Sequence, residues 1–188
     1  TGVQTCALPI WGRHPLENRI KLGVSACLLG ENVRYDGGHR LDCFIRDTLG
    51  EYVNFVPVCP EVECGMPIPR EAIQLERDPE SPRLVTIGSR KDMTKQMLDW
   101  ATARVRGLES EGLCGYIFKS RSPSCGIRGV KVHNEKGIPV KNGAGLFARA
   151  FMKHFPLLPT EDEEHLHDPK VRENFIESIF AIKLRKHV

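Results

Sequence analysis

The sequence predicts an α/β fold in which a parallel sheet is flanked by helices. Short apolar segments typical of buried strands occur at residues 20–24, 53–58 and 115–118. Segments with apolar residues at helical spacing alternate with them, and this alternation favours a parallel sheet. Because ligands bind beyond the carboxyl ends of the strands in such sheets, we expect the functional site at that edge.

Two further strand regions are predicted outside these three segments. Residues 72–76 and 83–87 flank the turn DPESP and predict a β-hairpin. VKVH at 130–133 predicts a short strand before the turn at GIP. The acidic segment PLLPTEDE is interpreted as a connection.

Apolar residues at helical spacing predict four helical segments. Residues 40–49 place five side chains on one helical face, and a longer helix is predicted from about Asp92, with its methionines in the core rather than in a metal site. The other two segments are LFARAFMKHF and the last stretch of the chain. The predicted apolar faces are Leu41, Phe44, Ile45, Thr48 and Leu49; Met93, Met97, Ala101, Val105 and Leu108; Leu146, Phe147, Ala150 and Phe151; and Phe175, Ile176, Ile179 and Phe180.

Composition excludes several classes of protein. The chain has 188 residues, of which 40% are hydrophobic and 27% charged, as in a globular domain with a real core. A net charge of +3 lacks the strongly basic character of a nucleic-acid-binding protein. No apolar run approaches the roughly 20 residues needed to span a bilayer, so no membrane partner is expected.

The two ends of the chain are treated separately from the central domain. TGVQTCALPI, residues 1–10, reads as a translated sequencing-library adapter and is set aside together with Cys6. The segment 171–188 is helical in pattern and lacks a stop signal. We expect an α/β domain over residues 18–160 and a boundary near 160–170, with residues 165–188 beginning a second, helical unit.

The remaining cysteines indicate a reduced compartment, which predicts a cytoplasmic protein. None of them forms a C-x-x-C pair, and a disulfide framework is typical of shorter, loop-rich secreted chains. For Cys43, Cys64 and Cys114 a packing role is favoured, with Cys43 partly exposed because it falls off the apolar face of its segment.

Three other cysteines share a position just beyond an apolar strand. Cys27, Cys59 and Cys125 follow the three predicted strands, each near Gly or Pro, and are expected to converge in space. Soft thiolate ligands favour zinc, copper(I) or an iron–sulfur cluster. A structural zinc site needs a fourth ligand, whereas a [4Fe–4S] cluster held by three cysteines leaves one iron open as a Lewis acid. Each cysteine taken alone is more often a packing residue.

Four segments, in this order and spacing, resemble the thiouracil desulfidase (TudS-like) family: VSACLLGENVRYDGGH, PVCPEVECGMPIPRE, KSRSPSCG and GAGLFA. The tail, DPKVRENFIESIFAIKLRKHV, resembles the start of the YbgA-type domain that is fused to longer members. The resemblance implies a Rossmann-like fold with a [4Fe–4S] cluster, and non-redox removal of sulfur from a thiolated pyrimidine, as in 2-thiouracil to uracil and hydrogen sulfide. By motif it implies Cys27, Cys59 and Cys125 as the cluster ligands and Glu61 and Ser122 as the catalytic residues.

The residues themselves allow these roles and simpler ones. Glu61 lies two residues from a ligand and could transfer protons, or could be a carboxylate at a helix N-terminus. Ser122 could orient water or hold the pyrimidine, but a turn or cap serine is common beside proline. Ser124 is interpreted as a cap or as a hydrogen-bond donor near the cluster. Lys119 and Arg121 could balance thiolate charge, or could simply be exposed.

The loop YDGGH is the predicted contact with the substrate. Tyr35 could stack on a ring, Asp36 could bond to its edge, and Gly37 and Gly38 permit close backbone approach. A solvated turn is the simpler interpretation of this loop, and it is favoured for His39.

Three functions are therefore compared. The first is a [4Fe–4S]-dependent desulfidase whose partner is a small thiolated base. The second is a non-catalytic iron–sulfur or zinc protein for redox sensing or sulfur carriage. The third is an α/β binding module whose cysteines are buried.

Overall fold

The computed structural model describes residues 19–186. Its central sheet has four strands, in the order β2–β1–β5–β8, and all three pairings are parallel. The fold is therefore the predicted α/β arrangement of a parallel sheet and helices. The adapter-like segment 1–10 lies outside the described residues. The strands of this sheet are β1 (Ile20–Ser25), β2 (Val53–Val58), β5 (Tyr116–Phe118) and β8 (Thr160–Asp162).

Strand β8 lies within the segment interpreted as a connection, and that interpretation was wrong at Thr160–Asp162. The strand has three residues, two of them acidic, so the local sequence carries no strand pattern. It forms a strand because it pairs with β5, with Thr160 opposite Tyr116 and Asp162 opposite Phe118. Tertiary pairing has overridden a weak local preference.

A second, mixed sheet lies beside the first, with strand order β4–β3–β6–β7. It contains the predicted hairpin, with β3 and β4 antiparallel, and the predicted VKVH strand, which is parallel to β3. The hairpin and VKVH were predicted from the sequence, but their separate sheet and its fourth strand, Pro139–Gly143, were not. Its strands are β3 (Ile73–Glu76), β4 (Arg83–Thr86), β6 (Val130–His133) and β7 (Pro139–Gly143).

Helices cover the two faces of the parallel sheet. Ile117 of β5 packs with the core on one face, while its neighbours Tyr116 and Phe118 pack with α2 and α3 on the other, because successive side chains of a strand point to opposite faces. The predicted core methionines Met93 and Met97 are buried. The helices are α1 (Pro60–Glu63), α2 (Thr94–Glu109), α3 (Leu146–His154) and α4 (Pro169–Arg185).

The face opposite α2 and α3 is covered by α4 and by short turns. Phe175 and Ile179 of α4 are buried in the same cluster as the β1 side chains, so this helix packs directly on the sheet. Residues 40–49 form no regular helix: a π-helical turn spans Phe44–Thr48 and a 3-10 turn spans Leu49–Glu51. The predicted apolar face still buries Ile45 and Leu49. The domain division at residues 160–165 stays a prediction.

Candidate functional site

One pocket lies at the carboxyl ends of β1, β2 and β5. The structure brings Cys27, Cys59 and Cys125 together in its wall, although they are distant in sequence. All three thiols are free. The pocket is lined by Ser25, Ala26, Cys27, Val33, Arg34, Tyr35, Val58, Cys59, Pro60, Glu61, Arg70, Lys119, Ser122, Ser124 and Cys125.

The three thiols are close enough to influence one another electrostatically. Burial, followed by the nearby Cys59, raises the pKa of the Cys27 thiol from 9.0 to about 12. Burial also raises the pKa of the Cys59 thiol and, together with Cys59 and Cys27, that of Cys125. A metal bound here would displace these protons, because the thiolate is the ligand form.

The donor set in the pocket fits a group held by three thiolates. No histidine and no fourth cysteine lines the pocket among residues 19–186. Cys64 is buried elsewhere, in the cluster that contains Met93, and Cys114 is buried with the β1 side chains, whereas Cys43 is exposed. A structural zinc ion, which usually has four protein ligands, fits this set less well than a cluster with one open iron.

Glu61 enters the pocket from the first turn of α1, immediately after Cys59. Its Oε2 accepts two hydrogen bonds from Arg70, from Nε at 2.9 Å and from Nη2 at 2.6 Å. Its Oε1 accepts a bond from the Ser124 hydroxyl at 2.8 Å. The carboxylate is therefore held at both oxygens, and only 15% of the side chain is exposed.

The turn SPSCG places both Ser122 and Cys125 at the pocket. The Ser122 hydroxyl accepts a hydrogen bond from the Cys125 amide at 3.1 Å and contacts the Ser124 hydroxyl at 3.0 Å. Ser124 donates its only hydroxyl proton to Glu61, so Ser122 is the donor in the Ser122–Ser124 bond. Ser122 thus acts as a turn cap and also faces the pocket, which combines the two interpretations of this residue.

The N-terminus of helix α3 is hydrogen-bonded to the same turn. Its amides at Phe147 and Ala148 donate to the Ser124 carbonyl at 3.0 and 3.2 Å, so these N-terminal amides bind the protein's own backbone. A Cβ at Gly145 would lie 2.4 Å from the Ser124 carbonyl carbon. Glycine is therefore required where the helix meets the turn.

Lys119 also lines the pocket and lies near Cys27. Its ammonium forms an ion pair with Glu163, which also accepts from the Ser120 amide and hydroxyl at 2.7 Å each. The Lys119 amide donates to Ser25 Oγ at 2.9 Å. Of the two cations proposed to balance thiolate charge, Lys119 lines the pocket, whereas Arg121 is an exposed partner of Glu164.

The predicted substrate loop is only partly in the pocket. Tyr35 lines it and is 42% exposed, but Asp36, Gly37 and Gly38 are not among the lining residues. Asp36 instead accepts from the Gly38 amide at 3.0 Å and pairs with Arg34, and these contacts lower the pKa of its carboxyl. Gly37 has a φ of 76°, which favours glycine. The arrangement of Asp36 and the two glycines is that of a turn, and their contact with substrate stays a prediction.

Three polar residues that line the pocket were not predicted from the sequence, namely Ser25, Arg34 and Arg70. Arg70 lies in the segment PIPRE, where nothing local distinguishes it from an exposed arginine. Arg34 and Ser25 flank the first cysteine and carry no catalytic motif of their own. Only the folded chain shows that their side chains reach the cysteines.

Comparison with known proteins identifies the family of the chain. The family model described as 2-thiouracil desulfurase matches residues 22–163. The chain belongs to the 2-thiouracil desulfurase family. Membership supports a desulfidase function for the chain, and the matched residues include all three pocket cysteines.

Two relatives of this desulfurase chain are informative. The uncharacterized protein YbbK of Bacillus subtilis (strain 168) is 30% identical over 108 residues, which cover 55% of this chain and 71% of YbbK. A solved structure of the [4Fe–4S]-dependent thiouracil desulfidase TudS is 30% identical, with a TM-score of 0.65, and the match covers 83% of this chain and 97% of TudS. Among residues 19–186, no helix has the length and apolar character needed to cross a membrane.

Proposed function

We propose that this chain is a [4Fe–4S]-dependent desulfidase that hydrolyses the carbon–sulfur bond of a thiolated pyrimidine. The supporting observation is the meeting of three free thiols and one clamped carboxylate in a single pocket. Family membership and the likeness to a [4Fe–4S]-dependent thiouracil desulfidase support the same assignment. The reaction exchanges sulfur for oxygen: 2-thiouracil and water give uracil and hydrogen sulfide, without a change in redox state.

Cys27, Cys59 and Cys125 would hold the cluster. When bound, the cluster supplies an iron without a protein ligand, a Lewis acid that polarises the substrate sulfur and improves sulfide as a leaving group. Val58 and Pro60 give the pocket an apolar wall, which limits water around the reacting groups. Lys119 supplies a positive charge beside Cys27 that offsets the charge of the thiolates.

Glu61 is assigned as the acid–base group. Its Oε1 takes one proton from the water that adds at the thiocarbonyl carbon and passes it to the departing sulfur. The second proton of that water is released from the new hydroxyl as the carbonyl forms, and it completes hydrogen sulfide. Ser122 orients the water or the pyrimidine from beside Glu61, because its hydroxyl is bonded to Ser124, which in turn donates to Glu61 Oε1. Tyr35 is assigned to stacking on the pyrimidine ring, because its side chain is exposed at the pocket rim. The proposed contact of this loop with the pyrimidine also includes Asp36, Gly37 and Gly38.

The proposed partner is a small thiolated base, with no nucleic acid or membrane partner, and the proposed compartment is the cytoplasm. All six described cysteines are free thiols, which suits a reducing compartment. An oxygen-sensitive cluster with an open iron also needs such a setting.

Anaerobic reconstitution with iron and sulfide, followed by assay with 2-thiouracil, tests the assignment. We expect the broad visible absorption of a [4Fe–4S] cluster and the release of uracil and sulfide in equal amounts. Cys27→Ala, Cys59→Ala and Cys125→Ala should each lose the absorption and the turnover. Cys43→Ala, which removes an exposed thiol outside the pocket, should keep both.

The alternatives give different results in the same experiment. A protein that binds a cluster but leaves a panel of thiolated bases unchanged is a sensor or sulfur carrier. A protein that binds no cluster under these conditions is a binding module, and both results contradict the proposed function.

A further inference from the structure

Arg70 is the most completely bonded charged side chain in the pocket wall. It is only 5% exposed, although arginine is rarely so buried without a partner. Nε and Nη2 both donate to Glu61 Oε2, Nη2 also donates to the Val33 carbonyl at 2.8 Å, and Nη1 donates to the Pro67 carbonyl at 3.2 Å. A planar guanidinium with these contacts has one orientation.

This contact pattern determines which oxygen of Glu61 is available. Two donors converge on Oε2, so that oxygen is saturated by Arg70. Oε1 accepts one hydrogen bond, from Ser124, and keeps a second lone pair. Without Arg70, rotation of the glutamate side chain would exchange the two oxygens and move the carboxylate away from Ser124.

Arg70 also connects Glu61 to the predicted substrate loop. Besides its bond to the Val33 carbonyl, its own amide donates to the Tyr35 carbonyl at 2.9 Å. The amide bond does not depend on the side chain, whereas the Val33 bond does. The side chain therefore places one carboxylate oxygen and one end of the loop relative to each other.

We propose that Arg70 is a positioning residue of the desulfidase, which directs Glu61 Oε1 towards the reacting carbon and the water. This inference rests on the proposed function, since it needs Glu61 to act as the acid–base group. Arg70 itself does not contact substrate. Its effect is on turnover through the placement of Glu61, since misplacement by about 1 Å costs about 100-fold in rate.

The test compares Arg70→Ala, Arg70→Lys and the control Arg104→Ala in the reconstituted protein. Arg104 donates to Glu63 Oε2 at 2.9 Å, so the control removes an arginine–glutamate pair from the same helix α1 but outside the pocket. We expect Arg70→Ala to keep the cluster absorption and lower kcat by about 100-fold, with a smaller change in KM. The kcat of Arg70→Lys should lie between that of the parent and that of Arg70→Ala, because an ammonium keeps the charge but cannot form the two parallel hydrogen bonds of a guanidinium.

Two further measurements separate positioning from simple loss of stability. Millimolar methylguanidinium should restore part of the turnover of Arg70→Ala, because it can occupy the position of the missing guanidinium. It should leave the turnover of the control Arg104→Ala unchanged. A crystal structure of Arg70→Ala should show the Glu61 carboxylate turned away from Ser124. If Arg70→Ala does not fold, the lowered kcat of a folded Arg70→Lys with an intact cluster supports the proposal.

Several results would overturn it. Unchanged kcat in folded Arg70→Lys and Arg70→Ala would do so, as would equal losses in Arg70→Ala and Arg104→Ala. These outcomes are distinct from failure of the proposed function, in which the reconstituted parent protein itself releases no sulfide from 2-thiouracil.

Discussion

Two ion pairs lie at the pocket, one near Cys59 and the other near Cys27, and they have opposite polarity. Near Cys59, Arg70 pairs with Glu61, and near Cys27, Lys119 pairs with Glu163. Each pair joins segments that are apart in the sequence, by 9 residues in the first and 44 in the second. In each pair the less exposed partner has several hydrogen bonds and fixes the other.

The two ion pairs differ in the charge that they present to the pocket. Glu61 presents its carboxylate to the pocket and is held by Arg70, whereas Lys119 presents its ammonium and is held by Glu163, which is not a lining residue. Glu163 is also bonded to the Ser120 backbone amide. Each ion pair therefore has one member that is held and one member that holds it, and their hydrogen bonds tell the two apart.

The largest expected effect is a difference in kcat between variants of the two carboxylates, Glu61 and Glu163. Glu61→Gln should keep the cluster absorption and lower kcat by about 10²–10⁴-fold, because a general acid–base group is lost. Glu163→Gln should lower kcat by less than about tenfold, since its amide oxygen can still accept from Ser120. Steady-state assays of both reconstituted variants measure this difference.

Equal losses of turnover in the two variants would contradict the proposal that Glu61, and not Glu163, is the acid–base group. Cluster absorption, measured in parallel, ensures that the comparison is between equally loaded proteins.

A smaller effect is expected for Lys119, and it separates the contribution of its charge to turnover from its contribution to folding stability. Lys119→Met leaves the Glu163 carboxylate buried without its cation, and should lower the free energy of unfolding by roughly 1–3 kcal/mol. Adding Glu163→Gln removes that unpaired charge and should restore most of the stability. Turnover should stay low in both, because the ammonium beside Cys27 is absent.

Urea unfolding of the cluster-free proteins and assays of the reconstituted ones measure the two quantities. Recovery of turnover together with stability in the double variant would show that Lys119 serves only the fold.

The smallest effect concerns Tyr116, which is fully buried and whose hydroxyl has no hydrogen-bond partner among residues 19–186. Burial, followed by the nearby Cys125, raises the pKa of this phenol well above its ordinary value of 10.0. The raised pKa means that the folded state favours the neutral phenol, so its contribution is complete below pH 10 and is lost as the pH rises above that value.

Tyr116→Phe should therefore reduce the alkaline loss of stability above pH 10 and change stability at pH 7 by no more than about 1 kcal/mol. Urea unfolding at pH 7 and above pH 10 provides the measurement, with turnover as the control because Tyr116 belongs to neither ion pair. Identical pH dependence in the parent and in Tyr116→Phe would contradict this account of the buried hydroxyl.

Local patterns were sufficient for much of the architecture. Period and composition correctly predicted β1, β2 and β5, and the position of Cys27, Cys59 and Cys125 after these strands predicted that they would meet at one edge. The separate sheet built from the hairpin and VKVH was not predicted, because strand order depends on pairings between distant segments. The regular helix expected at residues 40–49 was not formed: short turns take its place and still bury Ile45 and Leu49.

What the sequence by itself determined is the parallel fold and the three strand-end cysteines, which follow from hydrophobic periodicity, a property of neighbouring residues. Glu61 and Ser122 were identified by resemblance to the family motifs, and their catalytic roles stay a prediction. The tertiary structure alone decided that Arg70 holds Glu61 and that Glu163 holds Lys119. The physical reason is that a charged side chain gains a defined orientation only when burial and directional hydrogen bonds give it fixed partners, and those partners come from elsewhere in the chain.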